Sequence, residues 1–126
     1  MAADARILIV ARDDVRAGPL AEGLDRLGWR TITARGPYAA LAALGDLPIE
    51  AVIVDLASAG PETQTLSRRL KAAVAPRRLP VIAIGDPEGD YRNQTFDLTL
   101  SPPLHPSQAA LRLETLVRTA IAEEEF

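Results

Sequence analysis

Apolar positions along this chain follow two rhythms that alternate. Three short runs are almost continuously apolar: Arg6-Ile7-Leu8-Ile9-Val10-Ala11, Ala51-Val52-Ile53-Val54-Asp55 and Pro80-Val81-Ile82-Ala83-Ile84-Gly85. Runs this short, closed by Pro, Gly or a charge, predict strands buried on both faces of a sheet. Trp29-Arg30-Thr31-Ile32-Thr33-Ala34 alternates and is rich in β-branched residues, which predicts a strand near an edge. Asp97-Leu98-Thr99-Leu100-Ser101 predicts a fifth, shorter strand.

Between these runs the spacing turns helical. Leu20, Leu24 and Leu27 fall at i, i+4 and i+7. Pro19 costs no hydrogen bond only within a first turn, so the first helix is expected to start no earlier than Ala17. Gly28 is its expected C-cap. Gly36-Pro37 opens a short helix over 38–44 that Gly45 closes. A helix over 62–74 carries Leu66, Leu70 and Val74 on its inner face. Pro102-Pro103-Leu104-His105-Pro106 reads as a rigid connector. From Ser107 a last helix presents Ala109, Leu113, Leu116, Val117, Ala120 and Ile121 as one stripe. The segment 86–96 is the irregular one, because Pro87, Gly89 and Asp90 are poor helix formers.

Strands that alternate with helices imply right-handed βαβ units and a parallel sheet covered on both faces. The expected architecture is an α/β three-layer sandwich with five parallel strands in the flavodoxin-like order 2-1-3-4-5. Its fourth helix is expected to be shortened or missing, since 86–96 leaves it little room. In that order strands 1 and 3 are neighbours, which brings the loop 12–14 beside Asp55. Asp55 ends its strand at the carboxyl edge of the sheet, where open α/β folds place their sites. A carboxylate there is equally suited to capping a loop or helix.

Composition narrows the function classes. With 126 residues, 48% hydrophobic and 25% charged, the chain is one ordinary globular domain. A formal charge of −3 argues against a dedicated nucleic-acid binder. The absence of cysteine excludes disulfides, iron–sulfur clusters and thiolate zinc sites. No apolar stretch approaches membrane-spanning length, and the N-terminus is no signal peptide. A cytoplasmic location and no membrane partner are the default expectations.

The chain resembles the receiver domain of bacterial response regulators. Gly28-Trp29, Ala40-Leu41, Asp55-Leu56, Gly60, Leu70 and Pro80-Val81-Ile82 carry the resemblance, without gaps from Ile7 through Gly85. It covers 1–126 as a single domain and implies the N-terminal module of a longer signalling protein, with an effector domain following. In that family the residue at Asp55 accepts a phosphoryl group from a histidine kinase. Two acidic residues after strand 1 hold Mg²⁺, a Ser or Thr ends strand 4, and a Lys-Pro pair ends strand 5.

This sequence departs from the pattern at each supporting position. The acidic pair falls on Ala11 and Arg12, with Asp13 one residue beyond. The hydroxyl position is Gly85, and the lysine position before Pro102 is Ser101. The resemblance therefore implies a degenerate receiver in which Asp55 is a vestigial phosphoacceptor. Phosphoryl transfer to a carboxylate needs metal and cationic neutralisation, and Mg²⁺ needs hard oxygen ligands. An Arg12–Asp55 ion pair in place of metal and phosphate is one expectation; Arg12 in solvent is the other.

The leading expectation is a non-enzymatic module for binding a protein partner or for self-association. It acts without phosphorylation, nucleic acid or cofactor, in two-component or cyclic-di-GMP type signalling. Candidate surface residues are Tyr91 and Phe96 in the irregular segment and Arg112 and Leu116 on the last helix. Phe96 is better suited to core packing. The alternative is a phosphoacceptor receiver, with Mg²⁺ as cofactor and Asp13 and Asp55 as candidate ligands. A third reading is a small ligand such as a cyclic dinucleotide, bound near Arg68-Arg69 or Arg77-Arg78. His105, between Leu104 and Pro106, has no evident catalytic partner and reads as a connector residue.

Overall fold

The computed structural model describes residues 6–12, 14–56, 66–85, 96–100 and 105–124, with the backbone alone at 14–16 and 120–124. In chain order these form β1 (Arg6–Val10), α1 (Asp14–Arg26), β2 (Arg30–Ala34), α2 (Pro37–Asp46) and β3 (Ile49–Asp55). Then come α3 (Leu66–Val74), β4 (Val81–Ile84), β5 (Leu98–Leu100) and α4 (Pro106–Glu124). The expected Glu62 start of α3, residues 57–58 beyond the expected third strand and the segment 86–95, where the fourth helix is expected to be shortened or missing, lie outside the described residues.

The five strands make one parallel sheet in the order β2-β1-β3-β4-β5. This is the flavodoxin-like topology expected from the alternating pattern. The continuous apolar runs occupy its centre because both of their faces are covered. One face packs Ile7, Ile9, Ala51, Ile53, Ile82 and Ile84 against Ala17, Leu20 and Leu24 of α1 and Ala109, Leu113 and Val117 of α4. The other packs Leu8, Val10, Val52, Val54 and Val81 against Ala40 of α2 and Leu66 and Leu70 of α3. Burying each such large side chain stabilises the fold by about 1.5–3 kcal/mol. No described helix is long and apolar enough to cross a membrane.

Local chemistry sets the ends of the elements, in three places against expectation. α1 starts at Asp14 rather than at or after Ala17, so Pro19 lies inside it. The helix forgoes the bond that a Pro19 N–H would make to the Val15 carbonyl, and burial of Ala17, Leu20 and Leu24 holds it. Leu27 is not part of the inner stripe and is 51% exposed. The helix ends before it in a Schellman turn: Gly28 takes φ +97 and donates to the Asp25 carbonyl, and Trp29 N–H donates to the Leu24 carbonyl. α2 runs through Gly45, its expected end, to Asp46, and Leu47 N–H caps the Ala43 carbonyl. Pro37 stands at the head of α2 and Pro106 at the head of α4. The exposed His105 serves as connector, its carbonyl accepting from the N–H groups of Gln108 and Ala109.

Candidate functional site

Asp55 is the last residue of β3 and is 4% exposed. Strand alternation puts it on the side of Ala51 and Ile53, the side that α1 and α4 cover. Its register partner on β4 is Ile84. On β1 the pairing of Val10 with Val54 places Ala11 level with Asp55. Gly85 is the next residue beyond Ile84, so strand order and register bring Ala11, Arg12, Asp55 and Gly85 to one edge of the sheet.

Among the described residues, the side-chain chemistry at that edge is sparse. Ala11 and Gly85 are buried and bring no side-chain donor or acceptor. Their backbone N–H groups are already spent on neighbouring strands, Ala11 to the Ala34 carbonyl at 3.0 Å and Gly85 to the Leu100 carbonyl at 3.0 Å. Neither amide is therefore left to cradle an anion. Arg12 is exposed at the mouth of the site, and neither it nor Asp55 is without a partner. Asp13 and Ser101, the other two expected positions, lie outside the described residues.

Mg²⁺ prefers near-octahedral oxygen coordination with one or two carboxylates and phosphate oxygens. The described positions at this edge offer it one carboxylate, Asp55. Among the described residues, no three His, Cys, Asp or Glu side chains cluster as a metal site.

The surface candidates are distributed differently from their grouping in the sequence. Phe96 is half-buried against the α2–α3 core. Leu116 is half-buried against the α1–α4 core. Arg112 is exposed on α4, and Tyr91 lies outside the described residues. Sequence reasoning did not single out Leu111, which is 64% exposed next to Arg112 on α4. Its signal was its position outside the 109–113–117 stripe.

A second polar arrangement, also missed, lies at the amino end of the sheet. Asp97, just before β5, accepts through Oδ2 from Val81 N–H at 2.7 Å and from Lys71 Nζ at 2.7 Å. Lys71 Nζ also donates to the Leu79 carbonyl at 2.9 Å. This clasp ties the end of α3 to the starts of β4 and β5.

A parallel five-stranded sheet in this order, with helices on both faces, defines the flavodoxin-like class of α/β proteins. Within that class the fold is that of CheY-like response-regulator receiver domains, to many of which the chain is similar. A response regulator from Burkholderia pseudomallei, solved with a phosphorylated aspartic acid, calcium ion and citrate, is 26% identical with a TM-score of 0.74, covering 96% of this chain and 73% of that one. A receiver-modulated diguanylate cyclase from Pelobacter carbinolicus is 21% identical with a TM-score of 0.78, covering 97% and 99%. The receiver domain of a sensor histidine kinase from Pseudomonas aeruginosa, with magnesium in its active-site cleft, is 20% identical with a TM-score of 0.78, covering 92% and 98%. No protein-family model and no curated protein sequence matches the chain.

Proposed function

We propose that this domain is a degenerate receiver: a non-catalytic module of a signalling regulator that works by binding a protein partner or a second copy of itself, without phosphorylation. The observation that carries this reading is the register at the carboxyl edge of the sheet. It sets Asp55 level with Ala11 and next to Arg12 and Gly85, with no second carboxylate or hydroxyl among those four. A receiver switches by gathering metal, phosphoryl group and reporting side chains around one aspartate. Here the framework is kept, and among the described residues of that edge the chemistry is a single carboxylate, Asp55.

In this reading Arg12 supplies a counter-charge to Asp55 where a receiver would hold its metal. Two unit charges about 4 Å apart attract by roughly 4 kcal/mol at an effective dielectric of 20, before desolvation is subtracted. The site is then fixed in one state and has no cation to recruit. The neighbours' output domains, a diguanylate cyclase among them, support a role as a regulatory module ahead of an effector.

The test is an amide NMR titration with Mg²⁺ followed by beryllofluoride. Absence of shifts at 11–13, Asp55 and Gly85 up to millimolar Mg²⁺ is the expected result. Clustered, saturating shifts there would make the domain a phosphoacceptor receiver acting through Asp55 and Asp13. Replacing Arg12 by Asp restores a second carboxylate, and Mg²⁺ binding should appear in that variant at millimolar concentrations.

A further inference from the structure

Residues 37–46, Pro-Tyr-Ala-Ala-Leu-Ala-Ala-Leu-Gly-Asp, form α2 with one charged side chain, Asp46, in the last position. A surface helix ordinarily turns a polar face to water, and a helix apolar all round belongs in a core. α2 buries Ala40 and packs Leu41, Ala43 and Leu44 against the α2–α3 core. Tyr38, Ala39, Ala42 and Gly45 on its outer side are all exposed, Tyr38 to 88%. We propose that this apolar face pairs with the same face of a second copy of the chain, the two α2 helices running antiparallel across a two-fold axis at Ala42.

Charge selects that occupant. The amino end of a helix is its positive pole and the carboxyl end its negative pole. α2 has no acidic residue in its first turn, and its N-cap, Gly36, makes no side-chain hydrogen bond there. Its one carboxylate stands at the negative pole, with no basic residue in that turn. The helix is charged at the wrong end for itself and at the right end for an antiparallel partner.

The spacing fits the same arrangement. Ala42 lies midway between Tyr38 and Asp46, four residues from each. A two-fold axis there sets Asp46 of each copy opposite Tyr38 of the other, where the carboxylate meets a positive pole and accepts from the phenol O–H. Each contact occurs twice, as an isologous interface requires. No neighbouring element comes within 4 Å of where a Gly45 Cβ would stand, which leaves room for the Tyr38 ring of the second copy.

Size sets the strength. The ten residues of α2 make a helix about 15 Å long. One face of it buries on the order of 300 Å², less than the roughly 800 Å² per partner of a stable dimer. The pairing is therefore weak and reversible, with a Kd on the order of 10⁻⁴ M. It deepens the reading above of a module that binds a second copy, and rests on that reading.

Sedimentation equilibrium of the intact chain from about 10 μM to about 1 mM should show a reversible monomer–dimer equilibrium. Ala42→Arg puts two like charges at the axis, on an exposed position where Arg suits a helix. It should weaken the dimer at least about tenfold, with circular dichroism unchanged. Leu111→Arg, at an exposed apolar position of α4, should leave the Kd within about twofold. The chain has no cysteine, so Ala42→Cys adds a single thiol. Helix axes about 8–10 Å apart bring Cα atoms at the axis to about 3–5 Å, overlapping the range a disulfide spans. Mild oxidation should link Ala42→Cys into a covalent dimer and leave Leu111→Cys monomeric. A chain monomeric at about 1 mM, a dimer unmoved by Ala42→Arg, or equal cross-linking of the two cysteine variants would each overturn the α2 pairing. A dimer broken by Leu111→Arg would overturn this face while upholding self-association, and only saturating Mg²⁺ shifts at Asp55 would overturn the reading on which it rests.

Discussion

Replacing Gly23 by Ala probes a closely fitted contact between α1 and α4. Gly23 faces the ring of Pro106, the first residue of α4, and a Cβ there would lie closer than 3.0 Å to the ring's Cβ and Cγ. The ring is locked to its own backbone, so it has no flexible end to swing away. In an open helix interior Gly→Ala gains about 1 kcal/mol, but overpacking a tight contact costs about 1–3 kcal/mol. The head of α4 must lift from α1, loosening the packing of Ala109 and Leu113. A net loss of up to about 2 kcal/mol is expected, or up to about 8 °C in Tm for a chain of this size. Gly45 lies within α2 with nothing from a neighbouring element within 4 Å of its would-be Cβ, so Gly45→Ala should gain about 0.5–1 kcal/mol. Urea unfolding followed by circular dichroism measures both. Equal stability of the two variants would refute the argument, as would failure of Pro106→Ala to rescue Gly23→Ala in the double mutant.

Two further substitutions test the ends of the sheet. Asp97→Ala strands the Val81 N–H as well as the Lys71 ammonium and should cost about 1–3 kcal/mol, whereas Lys71→Met, at a side chain 30% exposed, should cost under about 1 kcal/mol; denaturant midpoints that reverse this order would remove the clasp as a structural device. Gly28→Ala forces a Cβ into a φ of +97 and should lower stability by about 1–2 kcal/mol, with unchanged thermal unfolding as the contrary result.

Much of the fold was written in the order of residues, and the reasons are local. The unbroken apolar runs of β1, β3 and β4 could only be strands covered on both sides. The alternation of Arg30–Ala34 put β2 at an edge, and Gly28 marked the end of α1 because a left-handed turn favours a residue without a Cβ. The resemblance to receivers rests on spacings along the chain, and strand order with register brings Ala11, Arg12, Asp55 and Gly85 to one edge of the sheet.

Other features needed the assembled sheet. Nothing near Pro19 announces that α1 begins at Asp14; burial of Ala17, Leu20 and Leu24 against β1 and β3 outweighs one missing hydrogen bond. Gly45 stays helical because α2 is held against β1, β2 and α3, and propensity alone predicts a stop. Register pairs Arg6 with Ile49 and then Ile7 with Ala51, slipping past Glu50, and it is this register that sets Ala11 level with Asp55. The Gly23–Pro106 contact and the Lys71–Asp97 clasp each join residues far apart in the chain. Sequence determines turns, caps and the faces of elements, since those follow from neighbours within a few residues. Which side chains meet across the sheet is decided by packing among elements, and that exists only once the chain has folded.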